Sequence, residues 1–195
     1  MLEEKIRTEI RATLIGMGLD AYHPPDLKPE IQKLRGRPDL LCLGGNIVIE
    51  VKRFTDTKEV EPSIHLSDIS DPQRKWLDWW VHRKVEIFGH EIQREAYIAL
   101  GTQKPFLPEK HRELFVIPWP SWIRFEKVFA NDGKDAQVYL KTFRANFGKY
   151  MWIYGTGTGW TCPETHPIFS NPFRSERKST DNDQLSLRFN NKEDR

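Results

Sequence analysis

The chain has 195 residues, 38% of them hydrophobic and 30% charged, with a formal net charge of +2. That length suits one enzyme-sized core with some chain to spare, and the absence of an apolar run of about 20 residues predicts no transmembrane helix. Two cysteines, Cys42 and Cys162, are too few for a disulfide framework or a C-x-x-C metal site, and the amino terminus opens on a charged amphipathic pattern, so a cytoplasmic protein is expected. A charge balance this close to zero neither demands nor forbids a polyanionic partner. The departure from ordinary composition is the seven tryptophans.

Leu2, Ile6, Ile10 and Leu14 recur every four residues, with Met17 one helical step on, and predict an amphipathic helix over residues 2–16 that ends at Gly16 and Gly18. His23, Pro24, Pro25 and Pro29 break regular structure, and residues 28–37 form a basic connector carrying Lys28, Lys33, Arg35 and Arg37. Residues 39–43, the turn Gly44-Gly45-Asn46 and residues 47–52 read as a hairpin. Residues 54–71 are polar with an apolar alternation at Ile64, Leu66 and Ile69, and Asp71-Pro72 opens a helix expected to run from Gln73 to about Phe88. Trp76, Leu77, Trp80, Val81 and Lys84 share one broad face of that helix, with Trp79 placed on the opposite side. Residues 96–100 and 114–117 read as two further strands, followed by a short helix around residues 122–129. Residues 139–154, broken by Gly148, read equally as a hairpin or a helix. From Phe173 onward the chain is polar and mixed in charge, which predicts a disordered or extended tail.

Chemistry concentrates on the first hairpin. Side chains alternate along a strand, so Glu50 and Lys52 share a face while Val51 between them points into the core. A tight hairpin folds Asp39 back beside that face, which gathers two carboxylates and an ammonium at a sheet edge. Such oxygen ligands suit Mg²⁺, with Mn²⁺ as substitute, held by one or two carboxylates and waters beside a phosphate. The lysine is placed to orient or help deprotonate an attacking water and to stabilise charge developing on that phosphate. Glu-x-Lys on its own is commonplace in strands, and the weight comes from its surroundings.

Gly36-Arg37-Pro38-Asp39-Leu40-Leu41, followed by Asn46-Ile47-Val48-Ile49-Glu50-Val51-Lys52-Arg53, resembles the PD-(D/E)xK nuclease superfamily. The resemblance implies an α/β fold with a central mixed β-sheet flanked by helices, restriction-endonuclease-like, and Mg²⁺-dependent hydrolysis of nucleic-acid phosphodiesters. It implies metal ligation by Asp39, Glu50 and the Val51 carbonyl, and a catalytic role for Lys52. Residues 64–73, with Trp76-Leu77 after them, resemble the segment that follows the active-site hairpin in RecU-like Holliday junction resolvases and VRR-NUC nucleases. There a glutamine at the head of a helix supports the active site, a place that Gln73 fits. The first helix of these families often carries a glutamate facing the site; Glu3, Glu4 and Glu9 compete for that role, with Glu9 preferred. On this reading residues 1–130 form the nuclease core, residues 131–172 a peripheral extension and residues 173–195 a polar tail.

Lys33, Arg35, Arg37, Arg53, Arg74 and Lys75, with Lys28 and Lys58, cluster around these elements and are candidates for neutralising DNA phosphates, the plain alternative for each being a solvated surface charge. The resemblance to resolvases also implies a homodimer, because a four-way junction is cut at two symmetric points. In the tail, Gln184-Leu185-Ser186-Leu187-Arg188-Phe189 resembles the hexapeptide that binds the bacterial sliding clamp, with Leu187 and Phe189 as apolar anchors and Gln184 as a hydrogen-bonding end. The alternation of Leu185, Leu187 and Phe189 fits a short edge strand as well. The expectation is a structure-selective DNA endonuclease, a Holliday junction resolvase of a bacterial or phage-infected cell. The alternatives are a clamp-directed repair or flap nuclease and a branched-DNA-binding protein that does not cut. Most tryptophans are expected in the core or a dimer interface, and Trp79 is singled out for contact with DNA or a partner subunit.

Overall fold

The computed structural model describes residues 2–24, 37–42, 46–57, 60–87, 90–102, 112–129, 136–155 and 158–170. Lys28, Lys33, Arg35, Lys58, the glycines of the first hairpin turn and the tail with Gln184, Leu185, Leu187 and Phe189 lie outside the described residues.

The four-residue apolar repeat forms α1 (Leu2–Gly16) and buries Ile6, Ile10 and Leu14. Gly18 ends it at φ +86°, and the Leu19 amide closes onto the Leu14 carbonyl at 3.0 Å. The chain then forms β1 (Ala21–Tyr22), β2 (Leu40–Cys42), β3 (Ile47–Arg53), β4 (Thr55–Thr57) and β5 (Val60–His65). A 3₁₀ turn over Leu66–Asp68 leads into α2 (Asp71–His82), β6 (Val85–Ile87), β7 (His90–Ile92), β8 (Glu95–Gly101) and β9 (Leu114–Pro118). Then come α3 (Trp119–Phe129), β10 (Gln137–Tyr139), α4 (Leu140–Phe147), β11 (Met151–Gly155) and β12 (Gly159–Thr161).

Seven strands form a mixed sheet in the order β1-β2-β3-β8-β9-β11-β12, in which β3 and β8 run parallel and the other neighbours antiparallel. The alternation within β3 divides the core. Ile47, Ile49 and Val51 pack with Ile6, Ile10 and Leu14 of α1, whereas Val48 packs with residues of α2, α3 and α4 on the other face. The fold is therefore α/β, a mixed sheet flanked by helices. Glu50 and Lys52 fall on the same face of β3 as Val48, the side covered by α2. Gly101 lets α1 approach closely, because a Cβ there would stand 2.7 Å from Ile6 Cδ1.

Several elements differ from the sequence expectation. The second helix ends at His82 rather than near Phe88, with Arg83 extended at φ −90°, ψ 122°. Beyond it, Val85 to Ile87 pair with β7 as a hairpin. The polar stretch after β3 forms the hairpin β4–β5, which β10 extends to a second small sheet. The ambiguous segment around Gly148 forms a helix (α4) and then the strand β11, which pairs with β9 and, beyond the segment, with β12; Phe143 and Trp152 within it are buried in the two cores. Trp119, Trp122, Trp152 and Trp160 are core residues, as expected. Trp79 is not opposite Trp76 and Trp80; its ring centroid lies 5.8 Å and 6.5 Å from theirs. A residue three positions along a helix is about 60° from its neighbour, so Trp76 and Trp79 adjoin. Among the described residues no helix is long and apolar enough to cross a membrane.

Candidate functional site

The antiparallel register of β2 and β3 pairs Leu40 with Ile49, and one step further sets Asp39 across from Glu50. Asp39 continues the ladder with its side chain: its Oδ2 accepts the Val51 amide at 2.8 Å. Arg7 on α1 donates from Nη1 to Asp39 Oδ1 at 3.3 Å, and His23 Nδ1 lies 2.7 Å from the Asp39 carbonyl. The Asp39 carboxylate is thus held from β3 and α1, and His23 meets its backbone.

Glu50 is 1% exposed. Its Oε1 receives the Lys52 ammonium at 2.8 Å and the side-chain amide of Gln73. Gln73 owes its orientation to the start of α2. There its Oε1 accepts both the amide and the hydroxyl of Ser70 at 3.0 Å, a capping arrangement that turns the amide nitrogen toward Glu50. Glu50 Oε2, in contrast, is buried with no hydrogen-bond partner among the described residues. Burial, with the Asp39 charge behind it, pushes the Glu50 carboxyl up to about 8 against the opposing pull of Lys52. Burial works to lower the Lys52 ammonium, but Glu50, with Glu3 and Asp39 behind it, outweighs that and holds it above the ordinary lysine value.

The structure brings Asp39, Glu50, Lys52 and Gln73 together. It does not bring Glu9 to them. Glu9 accepts from Arg112 Nη1 at 3.3 Å and from the Trp160 indole at 2.9 Å, and it neighbours Lys5 at 4.0 Å. The α1 carboxylate whose charge acts on Glu50 and Lys52 is Glu3, one helical turn before Arg7. Both residues border the apolar stripe, and no signal in the helix alone says which edge meets Asp39. Arg74 is also placed differently from expectation. Its guanidinium donates to the Leu66 and Ile69 carbonyls and pairs with Glu126, so it clamps the turn before α2 to α3. Arg53 and Lys75 are exposed and Arg37 half-buried.

Two carboxylates set across a hairpin, one of them buried with an oxygen left over, form a negative focus that, among the described residues, Lys52 and Arg7 offset. Among the described residues no group of three or more His, Cys, Asp or Glu is poised to hold a metal ion. A cation here would rest on Asp39, Glu50, the Val51 carbonyl and water, which is the sparse ligation a hydrated Mg²⁺ takes. Comparison of the chain with protein-family models, curated proteins and solved structures returned no match.

Proposed function

We infer that the chain is a Mg²⁺-dependent nuclease of the PD-(D/E)xK type, with a restriction-endonuclease-like core, that hydrolyses phosphodiesters in branched DNA, Holliday junctions foremost. The observation that carries this reading is the clustering of Asp39, Lys52 and Gln73 around the buried Glu50, whose Oε2 has no partner among the described residues. An ionised carboxylate oxygen removed from water and from donors is costly unless a cation takes it up, so the donor set fits the metal. Asp39 and Glu50 would hold it, with the Val51 carbonyl, next to Glu50 in the chain, as a neutral oxygen. When bound, Mg²⁺ or Mn²⁺ supplies a polarised phosphate oxygen and a water of lowered pKa.

The chain's own residues do the rest. Arg7 and the Val51 amide keep Asp39 in one orientation, and Gln73 fixes Glu50 through Oε1, leaving Oε2 for ligation. Lys52, paired with Glu50, would set a positive charge beside the charge that develops on the phosphate. Arg37, Arg53 and Lys75 contact phosphates on either side of the cut, giving mostly sequence-independent binding. A homodimer presenting two such sites matches the symmetry of a four-way junction. The tail residues Gln184, Leu185, Leu187 and Phe189 add the bacterial sliding clamp as a partner. A flap or repair nuclease uses the same site. Incubating the protein with a synthetic four-way junction, a flap and a linear duplex, each with Mg²⁺ or EDTA, separates these readings. Paired symmetric nicks confined to the junction support resolution, cutting of the flap alone supports the repair reading, and no cutting of any substrate refutes the nuclease assignment.

A further inference from the structure

Farther along α2 three indoles gather at the surface. Trp76 and Trp80, one turn apart, stack with centroids 5.3 Å apart and 13° between planes. Trp80 is anchored, its Nε1 directed at the Asn46 and Glu95 carbonyls at 3.2 Å and 3.1 Å. Trp79 is 45% exposed, leaving a large apolar ring open to water. Two guanidinium groups lie over this cluster. Arg83 stands 4.6 Å from the Trp79 centroid, and Arg94 stands 4.3 Å from that of Trp80 and 6.0 Å from that of Trp79.

The charges at this patch are not balanced. Neighbouring Lys84 is taken by Glu91 at 2.7 Å, but neither Arg83 nor Arg94 forms an ion pair with a described residue. Arg94 Nε is a buried donor without an acceptor among the described residues. Arg94 is desolvated and also feels the like charge of Arg83. Two cations that repel each other beside an open indole call for a partner that is both anionic and flat-ringed. Unpaired nucleotides are such a partner: the base offers a face to the indole and the phosphates offer oxygens to the guanidinium groups. A duplex hides its base faces in the stack. Trp79 lies six residues beyond Gln73, about 9 Å along the helix axis and about 120° around it.

We propose that Trp79, with Arg83 and Arg94, is a stacking site for unpaired bases of the DNA cut at Asp39 and Glu50, and that it directs the protein to DNA with single-stranded character. The identity of the substrate rests on the nuclease reading above; the site itself is separate from the carboxylates.

The test uses the full chain in EDTA, where nothing is cut, with fluorescein-labelled oligothymidylate and a blunt duplex read by anisotropy. Trp79→Ala is expected to weaken oligothymidylate binding about tenfold or more and to leave duplex binding within about twofold. Trp79→Phe is expected to restore most of the loss, and Arg83→Ala to weaken single-strand binding and flatten its salt dependence. Thermal melts of each variant establish that it is folded. Unchanged oligothymidylate affinity in folded Trp79→Ala overturns the proposal. So does a change in sedimentation without a change in affinity, which would make the patch a contact between copies of the chain. Junction cleavage in Mg²⁺, read in parallel, keeps the two claims apart. Single-strand binding that depends on Trp79 in a protein that cuts nothing upholds this site and refutes the nuclease reading. Cleavage by a protein whose Trp79→Ala variant binds single strands normally does the reverse.

Discussion

Replacing Glu50 by glutamine is expected to stabilise the metal-free protein at alkaline pH. The group sits at 1% exposure with its carboxyl pushed up to about 8 from the ordinary 4.5. Between those two values the folded state holds a proton that the unfolded chain releases, so stability falls as pH rises through that window and stays low above it. At about 1.4 kcal/mol for each pH unit of displacement, the loss approaches about 4–5 kcal/mol by pH 9. The glutamine amide has no such proton to lose. Urea unfolding of wild type and Glu50→Gln in EDTA, from pH 5 to 9, should give curves that nearly meet at pH 5 and separate as pH rises, with the variant the more stable. Apart from Lys52, which pairs with Glu50, the titrating groups keep their surroundings in both proteins, so the difference reports the Glu50–Lys52 pair. Adding Mg²⁺ at pH 8 should raise the wild type alone, because a cation at Oε2 favours the ionised form. Parallel curves, or a variant less stable than wild type at pH 9, would refute the reasoning.

The opposite limb belongs to His166, which is fully buried, bonds the Val116 carbonyl through Nε2 at 2.6 Å and accepts the Ile168 amide at Nδ1. Burial lowers it to about 4, the Val116 bond opposing, so its neutral form contributes about 3 kcal/mol that is lost as pH falls from 6.5 toward 4; His166→Gln should flatten that limb in urea melts. Arg74→Ala should lower stability by about 2–4 kcal/mol, since it leaves two carbonyls and Glu126 without their donor, and should not change the salt dependence of junction binding. Arg53→Ala and Lys75→Ala should do the reverse, each reducing the salt slope by about one, and matched binding losses for all three variants would contradict this division. Deleting residues 180–195 should abolish capture by an immobilised bacterial sliding clamp while junction cleavage persists; undiminished capture would remove the clamp from the account.

The carboxylate hairpin is legible in the sequence because it depends on local rules. Period-two alternation puts Glu50 and Lys52 on one face and Val51 on the other, and the hairpin brings Asp39 across, which is where the strand register sets it. Gln73 is legible because a glutamine three residues into a helix is tied by the cap that orients it. Glu9, Arg74 and Trp79 depart from expectation for one shared reason. Their surroundings are set by chain far away: Trp160 for Glu9, Glu126 for Arg74, and the strand ends carrying Asn46 and Glu95 for the tryptophan cluster. Residues 139–154 read ambiguously because β11 exists by pairing with β9, and a strand specified by its neighbour carries little signal of its own. The second helix is shorter than its apolar pattern suggests because Val85 and Ile87 continue its apolar count while alternating as a strand.

The central claim is that Asp39 and Glu50 hold a divalent cation that lets this protein hydrolyse DNA. The most direct measurement is cleavage of a four-way junction under enzyme excess by wild type, Asp39→Asn and Glu50→Gln, each with Mg²⁺ and with EDTA, alongside junction binding by each protein. Wild type should cut in Mg²⁺ alone and neither variant should cut, with binding retained by all three. Cutting that survives EDTA or either substitution would contradict it.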